Sequence, residues 1–220
     1  MIMRNTFRES LNAGRPTIGT HFLFNDPDIA ELIGDTGLFD YAEFAAEYSC
    51  LDMQLLYHLA RAAQCAALPL MIKLDQEGQG FWAQAAIGAG FKSVLFTDIR
   101  KSEDIDECHA VIRADTPIDS GRMGVKIRRP ALSSYAPDQY LEDLGSLVFC
   151  VMIEKKDAVE NLEPILERAK TKGVDMVQWG PADYSVSMGD PKLFHSKSIH
   201  KVEENVCLLY TSDAADDLRC

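Results

Sequence analysis

Two carboxylates stand out as groups that could do chemistry. Glu154 follows the apolar run Val148-Phe149-Cys150-Val151-Met152-Ile153, and Asp183 follows Val174 to Trp179 and Gly180-Pro181-Ala182. An acidic residue where a buried strand reaches solvent is placed to act. Two of them at the carboxyl ends of neighbouring parallel strands could hold a hard divalent cation. Waters and a chelating substrate would fill the remaining positions of an ion of the Mg²⁺ or Mn²⁺ type. The other reading of the same residues is capping. Glu154 precedes a helix beginning near Lys156, and Asp183 could cap a turn at Ser185. Spacing alone does not choose between them.

The elements that must position these residues alternate along the chain. Thr17–Phe24, Phe39–Ala46, Leu68–Lys73 and Ser93–Thr97 are rich in β-branched and aromatic residues and read as strands. A short strand is expected near Gly124–Ile127, and two more in Val148–Pro191. Between them lie amphipathic segments. One starts at Asn25-Asp26-Pro27, a cap followed by proline in the first turn. Others cover Leu51–Ala67, Phe81–Gly90, Ser102 to about Arg113, a stretch from about Pro137, and one helix from Lys156 that stops at Gly173. Strand-helix alternation implies βαβ units and a parallel sheet, and short apolar strands imply burial on both faces. Seven strands with right-handed crossovers predict a TIM (β/α)8-type barrel truncated before its eighth strand and helix. Periodicity by itself does not separate this from an open parallel sheet. Residues 1–206 are read as a single barrel domain, and 207–220 (CLLYTSDAADDLRC) as a non-native tail.

Composition narrows the function classes. Acidic residues outnumber basic ones 34 to 22 in 220 residues, a formal net charge of −12. This argues against nucleic acid or an anionic membrane as partner. No apolar run is long enough to span a bilayer, and the amino-terminal stretch has no apolar signal region, so a cytoplasmic protein is expected. The six cysteines show no CxxC pair and read as reduced thiols, with Cys65, Cys108 and Cys150 in apolar patterns. His21, in the first strand, reads as a core histidine. His58 and His109 lie on helices, and His195 and His200 in an exposed terminal segment.

The chain resembles the HpcH/HpaI family of class II, metal-dependent 2-oxo-acid aldolases. The resemblance rests on Ile153-Glu154 with Asp157-Ala158-Val159-Glu160-Asn161-Leu162, and on Gly180-Pro181-Ala182-Asp183-Tyr184-Ser185-Val186-Ser187-Met188-Gly189. Gly19-Thr20, Asp26-Pro27 with Ala30-Glu31-Leu32, and Gly124 after Gly121-Arg122 support it. It implies that Glu154 and Asp183 bind the metal, Mg²⁺ or Mn²⁺ with Co²⁺ as a further candidate. It also implies that Ala182 and Asp183 sit at the substrate carboxylate. The activity implied is carbon–carbon cleavage or formation between a pyruvate-like 2-oxo acid and an aldehyde, through a metal-stabilised enolate, in a homo-oligomer. A citrate-lyase-β-like acyl lyase is a related outcome.

Three positions depart from the family pattern. Where the family has a histidine base paired with aspartate, this chain has Ala45, Glu47, Tyr48 and Ser49. Glu47 is kept. Tyr48 replaces the base, although an ordinary tyrosine, with a pKa near 10, is a poor one at neutral pH. Where the family has an arginine at the keto oxygen stands Lys73, which keeps the charge and loses the bidentate fork. A Schiff base at Lys73 is the other chemistry a buried lysine offers. Where a family glutamine touches substrate stands Met152, which cannot donate a hydrogen bond. Lys73, Tyr48 and Glu47 are therefore the catalytic candidates, and Lys73, Met152, Ala182 and Asp183 the substrate-binding ones. Lys126, Arg128 and Arg129 form a basic loop. A member that kept binding and lost turnover is the alternative function.

Overall fold

The computed structural model describes residues 4–127 and 136–213. Its elements in chain order are α1 (Thr6–Asn12), β1 (Gly19–Phe22), α2 (Pro27–Asp35), β2 (Tyr41–Ala45), α3 (Met53–Cys65), β3 (Leu70–Leu74), α4 (Gln79–Ala89) and β4 (Ser93–Phe96). They continue with α5 (Ser102–Ile112), α6 (Pro137–Gly145), β5 (Val148–Ile153), α7 (Lys156–Glu160), α8 (Leu162–Lys172), β6 (Met176–Trp179), α9 (Pro181–Ser187) and α10 (Lys197–Asp213). Ala46–Tyr48 and Pro191–His195 are short 3-10 turns. The strands follow in the sheet order β1-β2-β3-β4-β5-β6. The chain divides into two compact units, residues 1–95 with 110–148, and 96–109 with 149–220.

In the first unit β1 pairs with β2 and β2 with β3, all parallel, with Phe22 opposite Phe44 and Ala45 opposite Lys73. Every residue of β3 is buried, as is β2 after its first position. Strands covered on both faces need such uninterrupted runs. The helices begin where local chemistry starts them: Asp26 accepts from the Asp28 N–H ahead of α2, and Asp52 from the Leu55 N–H ahead of α3. At the other end of the strands, Asn5 donates to the Lys92 and Ser146 carbonyls and Arg8 to the Leu147 carbonyl. Phe7 stacks on Tyr41 with centroids 4.2 Å apart. The amino-terminal helix thus seals carbonyls just ahead of β4 and β5.

In the second unit β5 and β6 pair in parallel, with Met152 opposite Gln178 and Ile153 opposite Trp179. All six residues of β5 are buried. Leu162, Ile165, Leu166 and Ala169 form the buried stripe of α8, which ends at Gly173 in the left-handed region (φ 67°).

Two sequence expectations change in the structure. The single helix expected after β5 is two, broken at Asn161. Pro164 lacks the N–H that would bond the Glu160 carbonyl. The Asn161 side chain donates instead to the Asp157 and Arg100 carbonyls. The strand expected near Gly124–Ile127 does not form. The Tyr140 hydroxyl donates to the Gly124 carbonyl and accepts from the Lys126 N–H, so the groups a strand would pair are already used. An isolated parallel bridge, Ala114 to Met123, stands nearby, and six strands are present among the described residues. Helix α10 continues across position 207 to Asp213. No helix among the described residues is long and apolar enough to cross a membrane.

Candidate active site

Glu154 emerges directly from the buried end of β5 and is itself only 3 % exposed. Its Oε1 accepts the Asp98 N–H at 2.9 Å. Asp98 lies just past β4 with φ 61°, in the left-handed region where a side chain other than glycine is strained and aspartate is among the better tolerated. That conformation lets one residue serve two neighbours, its N–H on Glu154 and its carboxylate on Lys155. Thr97 supports it, its Oγ1 donating to Asp98 Oδ2 at 3.1 Å. The Lys155 Nζ lies 2.8 Å from Asp98 Oδ1 and 2.9 Å from Asp183 Oδ1.

The electrostatics follow from this layout. Burial pushes the Glu154 carboxyl above the usual range, and the charges of Asp183 and Asp98 push the same way, against the Asp98 N–H and Lys155. At Asp98 burial also pushes upward, but the hydrogen bond and charge of Lys155, with Thr97 and Arg100, outweigh it and hold the carboxyl low. At Lys155 burial favours the neutral amine, and the bonds to Asp98 and Asp183 more than reverse it. Of Glu154 and Asp98, Glu154 is therefore the less compensated carboxylate.

Neither Glu154 nor Asp183 caps a helix. The N-cap positions of α7 and α9 are Lys155 and Gly180, neither with a capping side-chain bond. Gly180 is glycine because there is no room for more. A Cβ there would sit 2.6 Å from Glu154 Cβ, 2.8 Å from its Oε2 and 2.9 Å from Met152 Cε. This contact sets β6 and α9 against the Glu154 side chain. The described residues contain no group of three or more His, Cys, Asp or Glu side chains shaped for a metal. Glu154 and Asp183 are two hard oxygen donors that feel each other's charge, the former under-compensated. That donor set fits an ion of the Mg²⁺ type, which keeps several waters and needs only one or two protein carboxylates.

In the first unit Lys73, at the end of β3, forms an ion pair with Glu47 of the 3-10 turn after β2, and both side chains are 11 % exposed. The Tyr48 ring centroid lies 5.2 Å from the ammonium. Burial alone would lower the Lys73 pKa. The hydrogen bond and charge of Glu47, with Tyr48 and Glu43 behind, raise it above the ordinary value. A Schiff base needs a neutral amine, so this environment works against that chemistry. Tyr48 is 66 % exposed.

Of the candidates, Glu154, Asp183 and Met152 come together in the second unit, with Ala182 exposed in the first turn of α9. Lys73, Glu47 and Tyr48 come together in the first. Sequence reasoning passed over Asp98 and Lys155. Asp98 carried the signal that marked Glu154, an acidic residue after the apolar run of β4. Arg128 and Arg129 lie outside the described residues, and Lys126 is held through its N–H by Tyr140. His21 is exposed rather than in the core, because it lies opposite Glu43 on β1, the edge strand of the sheet. Cys108 and Cys150 are buried and Cys65 is exposed. Burial pushes the Cys108 thiol far up, which leaves it inert.

The family described as HpcH/HpaI aldolase/citrate lyase matches residues 50–214. The chain belongs to this family. A 2-keto-3-deoxy-L-rhamnonate aldolase of Salmonella gallinarum is 26 % identical over 204 residues, 93 % of this chain and 74 % of that protein. Among solved structures, an HpcH/HpaI aldolase from Desulfitobacterium hafniense superposes with a TM-score of 0.78 at 21 % identity, over 92 % of this chain and 76 % of that one. Protein CitE from Mycobacterium tuberculosis, crystallised with magnesium and pyruvate, superposes with a TM-score of 0.54 at 11 % identity, over 89 % and 69 %. The fold of this HpcH/HpaI chain is of the (β/α)-barrel type, the expectation drawn from its strand count and right-handed crossovers.

Proposed function

We propose that this chain is a carbon–carbon lyase of the aldolase type, which acts on a pyruvate-like 2-oxo acid and an aldehyde through an enolate. The observation that carries the reading is a buried, under-compensated Glu154 that feels the charge of Asp183. These two side chains would hold Mg²⁺ or Mn²⁺. The relative named as a 2-keto-3-deoxy-L-rhamnonate aldolase and the neighbour crystallised with magnesium and pyruvate support it.

A bound divalent ion supplies Lewis-acid stabilisation of the charge that develops on the keto oxygen. The chain's own residues do the rest. The first-turn N–H groups of Ala182 and Asp183 have no intrahelical acceptors and donate to the substrate carboxylate. Met152 presents an apolar wall where a glutamine would donate. In the first unit Lys73, kept protonated by Glu47, stands at the position of the family arginine. Glu47 is committed to that pair. Tyr48 stands in the place of the family base as a proton or hydrogen-bond donor, so proton abstraction falls to water or substrate. A cytoplasmic, homo-oligomeric intact protein belongs to the same reading.

A second reading, a metal and oxo-acid binder without turnover, is favoured by one observation: the position of the family base is held by an exposed tyrosine, Tyr48. One experiment separates the two. Full-length protein is incubated with Mg²⁺ and pyruvate in D₂O, and the methyl signal is followed by NMR. Exchange above the protein-free rate, reduced about 100-fold or more by Glu154→Ala and by Asp183→Ala, is the expected result. Mg²⁺-dependent pyruvate binding without exchange would replace the lyase by the binder.

A further inference from the structure

Lys155 has a role that the metal reading alone does not contain. It follows Glu154 in the chain, and its extended backbone (φ −120°, ψ 147°) leads into α7. Its side chain folds back over the site and is only 12 % exposed. The ammonium bridges two carboxylates from distant parts of the unit, Asp98 at 2.8 Å and Asp183 at 2.9 Å. It does not pair with Glu154, whose Oε1 takes the Asp98 N–H instead. The cluster therefore holds three carboxylates and one tethered cation. That cation sits on a carboxylate oxygen of Asp183, a group that a divalent ion must also use.

From this geometry we infer that Lys155 is a built-in competitor for the ion, and that ion binding requires its ammonium to release Asp183. The inference rests on Glu154 and Asp183 being the metal ligands. Asp98 makes the exchange feasible. Its carboxylate stays hydrogen-bonded to Thr97 and remains a partner for the ammonium once Asp183 has turned to the ion. A buried cation stripped of both partners would be prohibitively costly, whereas one that keeps a partner is not. Lys155 ties Asp183 of α9 to Asp98 beyond β4. An ion held by Glu154 and Asp183 would repel the Lys155 ammonium, which lies 2.9 Å from Asp183 Oδ1. The outcome is a site of deliberately moderate affinity. A chelating 2-oxo acid, which brings its own oxygens to the ion, would then tip the balance, so ion and substrate load together.

The test is isothermal titration of full-length protein with Mn²⁺ alone, checked by the loss of the free Mn²⁺ signal in electron paramagnetic resonance. Wild type, Lys155→Met, Lys155→Gln and Glu154→Gln are compared, with circular dichroism confirming that each is folded. Removing a unit charge so close to the ion should tighten Mn²⁺ binding at least tenfold in Lys155→Met, with Lys155→Gln moving the same way. Mn²⁺ binding by wild type, lost in Glu154→Gln and no tighter in either Lys155 variant, would overturn the competitor role and leave the metal site standing. No Mn²⁺ binding by any variant would overturn both. Binding by the Lys155 variants alone would support the competitor role in its strongest form.

Discussion

Glu47→Gln is the perturbation whose cost the structure sets most directly. It removes the formal partner of an ammonium that is 11 % exposed and keeps the shape of the side chain. Breaking a buried ion pair from one side costs about 3 to 5 kcal/mol, because the surviving charge is left uncompensated. Here the Tyr48 ring and the charge of Glu43 remain beside Lys73 and soften the loss. A cation–ring contact of this kind contributes about 0.5 to 1 kcal/mol. The expected destabilisation is therefore about 2.5 kcal/mol, with a similar value for Lys73→Met, which strands the carboxylate. The double variant Lys73→Met/Glu47→Gln removes both charges and should lose only about 2 kcal/mol, a coupling of about 3 kcal/mol. Urea unfolding gives these values, with an unchanged m-value as the control that the unfolded state is the same. The pair also fixes an alkaline signature. The Lys73 pKa is raised in the folded state above the ordinary 10.5, so its stabilisation is complete below 10.5 and is lost as pH climbs through the folded value. Wild type should therefore lose stability above 10.5 faster than the double variant. A Glu47→Gln protein within about 0.5 kcal/mol of wild type, or a strictly additive double variant, would refute the reasoning.

Two further outcomes follow from the second unit. Gly180→Ala places a methyl 2.6 Å from Glu154 Cβ and 2.9 Å from Met152 Cε, so overpacking should cost about 1 to 3 kcal/mol in thermal unfolding and weaken Mg²⁺ binding together; unchanged values of both would remove the claim that Gly180 is kept for close approach. Asp106 is gripped by the Arg168 fork, Nε donating to Oδ1 and Nη2 to Oδ2 at 2.9 Å each, with Lys172 at 3.3 Å, and Arg168 holds its carboxyl below 3.8. Its stabilisation is present above 3.8 and lost as pH falls through the lower folded value. The pair is more than one-third exposed, so Asp106→Asn should cost about 1 kcal/mol or less at neutral pH, and the gap should close as pH falls through the lowered folded value; a gap that persists undiminished in acid would show another origin.

Much of this was legible in the residues. Asp26-Pro27 and Asp52 start helices because a short polar side chain can reach the first free N–H groups, a local matter. The all-buried strands β3 and β5 read correctly as apolar runs with a charged residue at the end, which is how Lys73 and Glu154 came to notice. Where local signals misled, a side chain from elsewhere had intervened. Tyr140 took the backbone groups around Gly124–Lys126, and Pro164 with Asn161 split a helix that periodicity drew as one.

At the site the division is sharp. Glu154 and Asp183 were identifiable as a pair from strand-end position and family resemblance. Whether they capped helices was decided only by where their oxygens point, at the Asp98 N–H and the Lys155 ammonium. Asp98 lies 56 residues from Glu154, and no pattern in either segment announces the meeting. Secondary structure depends on neighbours along the chain. The charge balance of a buried cluster depends on neighbours across it, since burial strengthens every interaction within a few ångströms whatever the sequence separation. The residue types by themselves determined that this chain carries strand-end carboxylates able to hold a hard cation. Only the tertiary structure decided which of them is left under-compensated and which already holds a lysine.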